Sequence, residues 1–284
     1  MSTLYVVATP IGNLKDVSYR QLEVLENCRL ILAEDTRHTI KLLNHYNIKT
    51  KMISYHKFNE KERTEQIIER MQKEDLDVAL VSDAGTPCIS DPGYEIVKAA
   101  RENGIVVTAV PGCSAVITAL SVSGMDTSSF VFKGFFPREN KKKDALVQRM
   151  IQGDEHLYVF YESPKRIVEL TEYFASKIPW ANVCLCSDLT KLHEKILAGN
   201  ILDIYHRIKD DPESELGEYT VIVDVSGKPK EEEEESFSLE ALLVDTMIKN
   251  RCTLKEAIGI LTKNREDVSK NDLYKASLNL KNLL

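Results

Sequence analysis

Val78-Ala79-Leu80-Val81-Ser82-Asp83-Ala84-Gly85-Thr86-Pro87-Cys88-Ile89-Ser90-Asp91-Pro92-Gly93 is the stretch on which the fold turns. Its first four residues are apolar without alternation, which fits a strand covered on both faces, as in a parallel sheet. The twelve that follow, 82–93, are mostly small, polar or helix-breaking, whereas a strand-to-helix connector ordinarily needs about two to six residues. A loop of that excess length holds something besides the turn itself.

Working outward, short apolar and β-branched runs recur at 4–8, 30–33 and 106–110, and again at 130–133, 157–161, 183–186 and 220–225. Amphipathic segments lie between them; in 63–73, Ile67, Ile68 and Met71 share one helical face. Strands alternating with helices predict an α/β architecture with largely parallel sheets. Two more small-residue turns follow strands: Ala8-Thr9-Pro10-Ile11-Gly12-Asn13 and Pro111-Gly112-Cys113-Ser114-Ala115. In open α/β sheets the ligand crevice lies beyond the carboxyl ends of the strands. Three such loops would therefore surround one cavity with exposed backbone and short polar side chains.

Missing motifs narrow the ligand. No G-x-x-x-x-G-K-[ST] phosphate cradle, no G-x-G-x-x-G after the first strand and no G-x-S-x-G nucleophile elbow is present. A nucleotide held by its pyrophosphate is disfavoured, and a ligand without phosphates fits better. The six cysteines form no Cys-x-x-Cys pair and the six histidines fall at no metal-site spacing, so small reduced thiols and no metal are expected. No apolar run is long enough for a membrane span and no signal-peptide pattern opens the chain; the expected compartment is the cytoplasm. The net charge of −7 argues against coating nucleic acid by bulk charge, but leaves room for local basic contacts with RNA.

Composition shifts divide the chain. The strand series restarts after a Pro-Gly turn and a small-residue helix, giving an expected N-terminal α/β domain at 1–115 and a second at 116–226. An acidic, turn-rich linker is expected at 227–235, where Glu231–Glu235 stand together. The remainder, 236–284, has no strand character. Thr253-x-x-Glu256 and Ser269-x-x-Asp272 look like helix-starting caps, and the tail reads as a three-helix unit, for docking or dimer support or for RNA contact.

Taken together, Leu4-Tyr5-Val6-Val7-Ala8-Thr9-Pro10-Ile11-Gly12-Asn13-Leu14, Ala33-Glu34-Asp35-Thr36-Arg37, 82–93 and Gly134-Phe135-Phe136-Pro137 resemble one family. It is the ribosomal RNA small-subunit methyltransferase I family, a branch of the tetrapyrrole methylase superfamily. The resemblance continues through Tyr161-Glu162-Ser163-Pro164-Lys165-Arg166 and Leu189-Thr190-Lys191-Leu192-His193-Glu194 to about residue 226, and the helical tail resembles the small C-terminal domain of that branch. It implies two α/β domains flanking a cleft for S-adenosylmethionine, a homodimer, and as substrate the 2′-hydroxyl of a cytidine in the decoding region of 16S rRNA in the small ribosomal subunit. Carried onto this chain, the cofactor cleft would include Pro10, Asp83, Ala84, Gly85, Thr86, Ile89, Ser114 and Ala115, with Tyr161, Glu162, Leu189 and Tyr219 from the second domain. One departure stands out: Ser187-Asp188 replace the arginine and glutamate that usually precede Leu-Thr-Lys.

A ribose hydroxyl is a poor nucleophile and gains from a nearby proton acceptor. Glu162 and Asp83 are the candidates, with His56 behind them. Each has a plainer reading: Asp83 can hold loop amides, Glu162 can pair with Lys165 or Arg166, and His56 can be surface. For RNA, the loop containing His56, Lys57 and Phe58 offers stacking and charge, and Arg138 with Lys141, Lys142 and Lys143 forms the strongest basic patch. The same fold and cofactor would also serve a porphyrinoid acceptor, against which stand the first loop, the basic patch and the tail. A non-catalytic binder reading DNA through the tail would not bind the cofactor at all.

Overall fold

The near-continuous apolar runs become the inner strands of a five-stranded sheet. The computed structural model describes residues 2–229, 238–264 and 268–283, so the acidic run 231–235 lies outside the described residues. In chain order the first half contains β1 (Thr3–Val7), α1 (Tyr19–Asn27), β2 (Leu30–Ala33), α2 (Thr36–His45), β3 (Met52–Ser54), α3 (Glu60–Glu74), β4 (Val78–Val81), α4 (Tyr94–Glu102) and β5 (Val106–Val110). The strands pair in the order β3-β2-β4-β1-β5, every pair parallel. All four residues of β2 and of β4 are buried. Their alternate side chains supply two separate cores: Leu30, Leu32, Val78 and Leu80 meet Ile67, Met71 and Ile96 on one face. Ile31, Ala33, Ala79 and Val81 meet Leu25, Leu42 and Leu43 on the other. Helices on both faces of a parallel sheet follow from the period-two alternation of buried side chains.

The chain continues with α5 (Ala115–Val122), β6 (Val131–Phe135), α6 (Asn140–Gln152), β7 (Leu157–Glu162), α7 (Pro164–Lys177), β8 (Asn182–Ser187), β9 (Lys195–Asn200), α8 (Ile201–Ile208) and β10 (Tyr219–Asp224). The second sheet has the order β6-β7-β10-β8-β9. Here the expectation of parallel pairing needs correcting: β6 and β7 are parallel, whereas β7–β10, β10–β8 and β8–β9 are antiparallel. β9 returns directly beside β8, and β10 inserts between β7 and β8. One face packs Tyr158, Phe160, Val183, Leu185, Val221 and Val223 against α6, α7 and α8. The other packs Val159, Cys184, Cys186 and Ile222 against Val116, Ala119 and Leu120 of α5, together with Ile11 and Leu189. That last core joins a loop of the first sheet to the floor of the second.

By its packing the chain forms two units, Met1–Lys228 and Pro229–Leu284. The second contains α9 (Leu239–Asn250), α10 (Leu254–Asn264) and α11 (Lys270–Leu283) around Leu243, Ala257, Leu261, Leu273 and Ala276. The caps read from sequence are present: the Thr253 N–H donates to Glu256 Oε2 at 2.8 Å, and the Asp272 N–H donates to Ser269 Oγ at 3.2 Å. Among the described residues no helix is long and apolar enough to cross a membrane.

Candidate active site

The three loops read from sequence are bound to one another by backbone hydrogen bonds. Thr9 and Gly85 exchange both of theirs, at 2.9 and 3.0 Å, and the Ala8 N–H donates to the Val110 carbonyl at 3.3 Å. Thr9 Oγ1 donates to the Ser82 carbonyl at 3.1 Å, and Thr86 Oγ1 to the Cys113 carbonyl at 3.1 Å. α1 begins with a capping box in which the Gln21 N–H donates to Ser18 Oγ and the Ser18 N–H to Gln21 Oε1. The buried Gln21 amide then donates to the Ala8 carbonyl at 2.7 Å. Gly112 makes room for it: a Cβ there would lie 2.0 Å from Gln21 Nε2.

These loops form one wall of a cavity of about 370 Å³, within the size range of small-ligand sites. Ala84, Gly85, Thr86, Ile89, Ser114 and Ala115 line it from the first half of the chain, and Tyr161, Glu162, Leu189 and Tyr219 from the second. Pro10 is outside the lining, with Ile11 in its place. Asp83 is also outside it; its Oδ1 accepts the Asp35 N–H at 3.0 Å and so ties the end of β2 to the loop after β4. Sequence reasoning missed Ile11, Ser90, Asp91, Phe135, Ser163, Pro164, Glu218 and Thr220, which complete the lining. Ser90 and Asp91 belong to the overlong loop, and Phe135, Ser163 and Pro164 to the quoted motifs. Glu218 and Thr220 flank Tyr219 with no motif of their own.

The loop 82–93 departs from ordinary backbone geometry. Cys88 and Ser90 sit at φ of 71° and 69°, values that cost a non-glycine residue about 1–3 kcal/mol unless the surroundings hold them. Gly93, at φ 132°, ends the loop, with its N–H 3.4 Å from Glu60 Oε2. Between them Asp91 faces the cavity. Burial pushes its carboxyl up to about 7, and the neighbouring Glu34 and Asp83 carboxylates add to the shift. Glu34 is raised for the same reasons, burial first and Asp83 second.

Glu162, at the end of β7, has a side chain sealed from solvent. Its Oε1 accepts the Ser163 N–H at 2.7 Å; its Oε2 lies 3.2 Å from an Arg166 nitrogen without the alignment of a hydrogen bond. Burial raises its carboxyl, against the pull of that N–H and of Arg166. Ser187 and Asp188, which depart from the family pattern, adjoin this floor. Asp188, at φ 50°, packs so closely on Gly217 that a Cβ there would lie 2.2 Å from its Oδ2, and it holds Lys191 at 2.8 Å. A smaller cavity of about 190 Å³, which Ser187 and Asp188 also line, carries Asp211 and Glu213, both already paired with Lys195.

The expected RNA residues separate into two kinds. Lys57, Arg138, Lys141 and Lys142 are exposed, and His56 is half-buried beside the almost fully exposed Phe58 ring, centroids 6.0 Å apart. Lys143 needs correcting. It shares the inward face of α6 with Val147 and Met150, its side chain is 8% exposed, and its Nζ lies 2.5 Å from Glu169 Oε1. A lysine held in that way is part of the packing and offers no free charge to a phosphate.

The cavity suits an adenosyl ligand without phosphates. Its donors are backbone groups and short hydroxyls, its walls include Ile11, Ile89, Ala115 and Leu189, and the carboxylates Asp91 and Glu162 favour a positively charged sulfur. Residues 3–205 match the family described as Tetrapyrrole (Corrin/Porphyrin) Methylases. A Halalkalibacterium halodurans protein named Ribosomal RNA small subunit methyltransferase I is 40% identical over 275 residues, 96% of this chain and 93% of that one. A Hydrogenobaculum protein of the same name is 44% identical over 207 residues, 72% of this chain and 89% of its own length. Among solved structures, a diphthine synthase superposes with a TM-score of 0.60 at 13% identity, over 79% of this chain and 90% of that one. A uroporphyrin-III C-methyltransferase from Thermus thermophilus, in complex with S-adenyl homocysteine, gives 0.52 at 14% identity, over 79% and 97%. At those identities the structures establish a common fold.

Proposed function

Because the chain belongs to the ribosomal RNA small subunit methyltransferase I family of tetrapyrrole methylases, we propose that it methylates the ribose 2′-hydroxyl of a cytidine in the decoding region of 16S rRNA. The methyl donor on this reading is S-adenosylmethionine. When bound, it supplies an electrophilic methyl group on a sulfonium, and the protein's part is to hold, orient and enclose. The observation that carries the reading is the cavity itself. It is walled by three interlocked loops and lined from both sheets by backbone groups, short hydroxyls and apolar side chains.

Thr86, Ser114 and the backbone around Gly85 would hold the polar edge of the donor, and Ile11, Ile89 and Leu189 its apolar surface. Positioning of this kind contributes on the order of 7–11 kcal/mol when reacting groups are aligned. Of the carboxylates read as candidate bases, Glu162 lies in the cavity wall, with Arg166 and the Ser163 amide against it, and Asp83 lies behind the wall. We assign both to holding the site's shape. Lys57, Arg138, Lys141 and Lys142 would meet RNA phosphates, and the ring of Phe58 an unpaired base.

On the same reading segments 1–115 and 116–226 act as two domains either side of the cofactor, in a cytoplasmic homodimer. Exposed Val106, Ile117 and Val122 are apolar surface that a second copy would cover. The deciding experiment incubates the protein with labelled S-adenosylmethionine and small ribosomal subunits from cells lacking the enzyme, followed by mapping of the label. A single 2′-O-methylcytidine in the small-subunit RNA is expected. Cofactor binding without RNA labelling would instead favour a porphyrinoid acceptor.

A further inference from the structure

From Thr36 to Asn59 the sequence has no aspartate or glutamate, in a chain that carries 44 of them. The gap covers α2, the edge strand β3 and the loop that holds His56, Lys57 and Phe58. Within α2, Thr39, Leu42 and Leu43 are buried, and Arg37, His38, Lys41 and His45 form an exposed stripe on the other side. Other helices of this chain mix their signs: Lys73 pairs with Glu69 on α3, Lys98 with Glu102 on α4 and Lys249 with Asp245 on α9. On α2, Arg37 is paired with Asp35 at the helix head, and among the described residues Lys41 takes part in no ion pair. The helix is fixed beside the cavity at both ends. At its head the Asp35 N–H donates at 3.0 Å to Asp83, in the loop whose later residues line the cavity. Just past its tail the Tyr46 hydroxyl donates to the Leu14 carbonyl at 2.5 Å. Leu14 directly follows the first loop, and the next residue, Lys15, is exposed and also in no ion pair among the described residues.

We propose that the outer stripe of α2, with Lys15 beside its tail, is a track for the phosphate backbone of the substrate RNA. The proposal rests on the methyltransferase reading above and deepens it by naming a surface that holds the substrate. A chain of net charge −7 repels a polyanion as a whole, so attraction is confined to places where cations stand without counter-charges. The acid-free segment is such a place, and its helix borders the cavity. From Arg37 to His45 the stripe rises about 12 Å, enough to follow successive phosphates of one strand. The chain then leads from α2 through β3 to Lys57 and the almost fully exposed Phe58. One flank of the first sheet thus carries both backbone contacts and a ring for an unpaired base.

The test follows binding and methylation of small ribosomal subunits from cells lacking the enzyme, across a salt series. Lys15→Ala with Lys41→Ala should weaken subunit binding roughly tenfold and reduce the slope of log affinity against log salt by about 1.5, since each lost phosphate contact removes about 0.7–0.9. KM should rise while kcat stays within about twofold, because these lysines would hold the substrate equally in its ground and transition states. S-adenosylhomocysteine binding and the melting temperature should stay at their wild-type values, and Lys15→Arg with Lys41→Arg should keep the wild-type slope. Lys73→Ala with Lys98→Ala removes the same charge from the helices on the other face of the first sheet, and should change neither KM nor slope. A wild-type slope in the Lys15→Ala, Lys41→Ala protein, or an equal loss in the Lys73→Ala, Lys98→Ala protein, would overturn the proposal and leave the methyltransferase reading standing. So would a raised KM at an unchanged slope, which would put a protein or a base edge on α2 in place of phosphate. Wild-type protein that binds S-adenosylhomocysteine yet labels no RNA would overturn both.

Discussion

Gly112 shows how much of the site depends on one missing atom. Its α-carbon sits against the Gln21 amide that bonds the Ala8 carbonyl, and there is no space for a methyl group. Gly112→Ala should displace Gln21 from a buried bond that ties α1 to the first loop. Overpacking and an unpaired buried polar group together predict a loss of about 1–3 kcal/mol. Thermal unfolding would show it, with weaker S-adenosylhomocysteine binding alongside; an unchanged melting temperature would mean that Gln21 is not structural. Asp91 makes a second residue-scale prediction, of opposite sign. Its folded carboxyl is raised to about 7 from 3.8, so the folded state holds the proton more tightly than the unfolded chain. Its contribution is then complete below about pH 4 and lost as pH rises through about 7. Asp91→Asn, which cannot ionise, should melt at a higher temperature than wild type at pH 8, with the gap closing toward pH 5. A gap independent of pH would show that ionisation is not its cause.

At the scale of elements, α6 explains why three consecutive lysines are not one patch. Successive residues on a helix point about 100° apart. Lys143 keeps step with Val147 and Met150, which are buried, while Lys141 and Lys142 face outward. Arg138→Ala with Lys141→Ala should weaken RNA binding and flatten its salt dependence by about one unit per lost phosphate contact. Lys143→Ala should instead lower stability by about 1 kcal/mol and leave the salt slope intact. A flattened slope with Lys143→Ala would place that lysine on RNA after all. The same periodicity was available in the sequence, where charge outweighed it. What was legible there was local. β2 and β4 are continuous apolar runs, and the loops after β1, β4 and β5 are turn residues in series. β3 has three half-buried residues on a sheet edge, and β9 lies on the other sheet's edge with no fully buried position, so neither carries a strong pattern. Strand direction in the second sheet depends on which strand inserts between which, and no residue pattern encodes that. Asp91 was in view in the quoted stretch, but the shift of its carboxyl depends on burial and on Glu34, which the pairing of β2 with β4 brings beside it, as well as on Asp83 of its own loop.

For the whole molecule the question is which part of the chain the chemistry needs. Every residue that lines the cavity lies between Ile11 and Thr220, inside the unit Met1–Lys228. The helical unit has its own core, in which Leu243, Ala257, Leu261, Leu273 and Ala276 bury one another, and its own capped helices. Two units whose cores share no residue predict two separable unfolding transitions in calorimetry. The Hydrogenobaculum relative aligns over most of its own length but a smaller share of this chain, so a shorter protein of the family exists. A fragment of residues 1–228 should accordingly fold, keep the transition of its own unit, and bind S-adenosylhomocysteine within about twofold of the full chain, as expected for groups that do not share partners. Methylation of small subunits then assigns the helical unit. If it grips RNA, the fragment should show a raised KM with kcat retained, and added salt should raise KM less steeply than in the full chain. If the fragment loses cofactor binding, the cavity needs something outside the residues that line it, and the separation of the two units argued from their cores would be wrong.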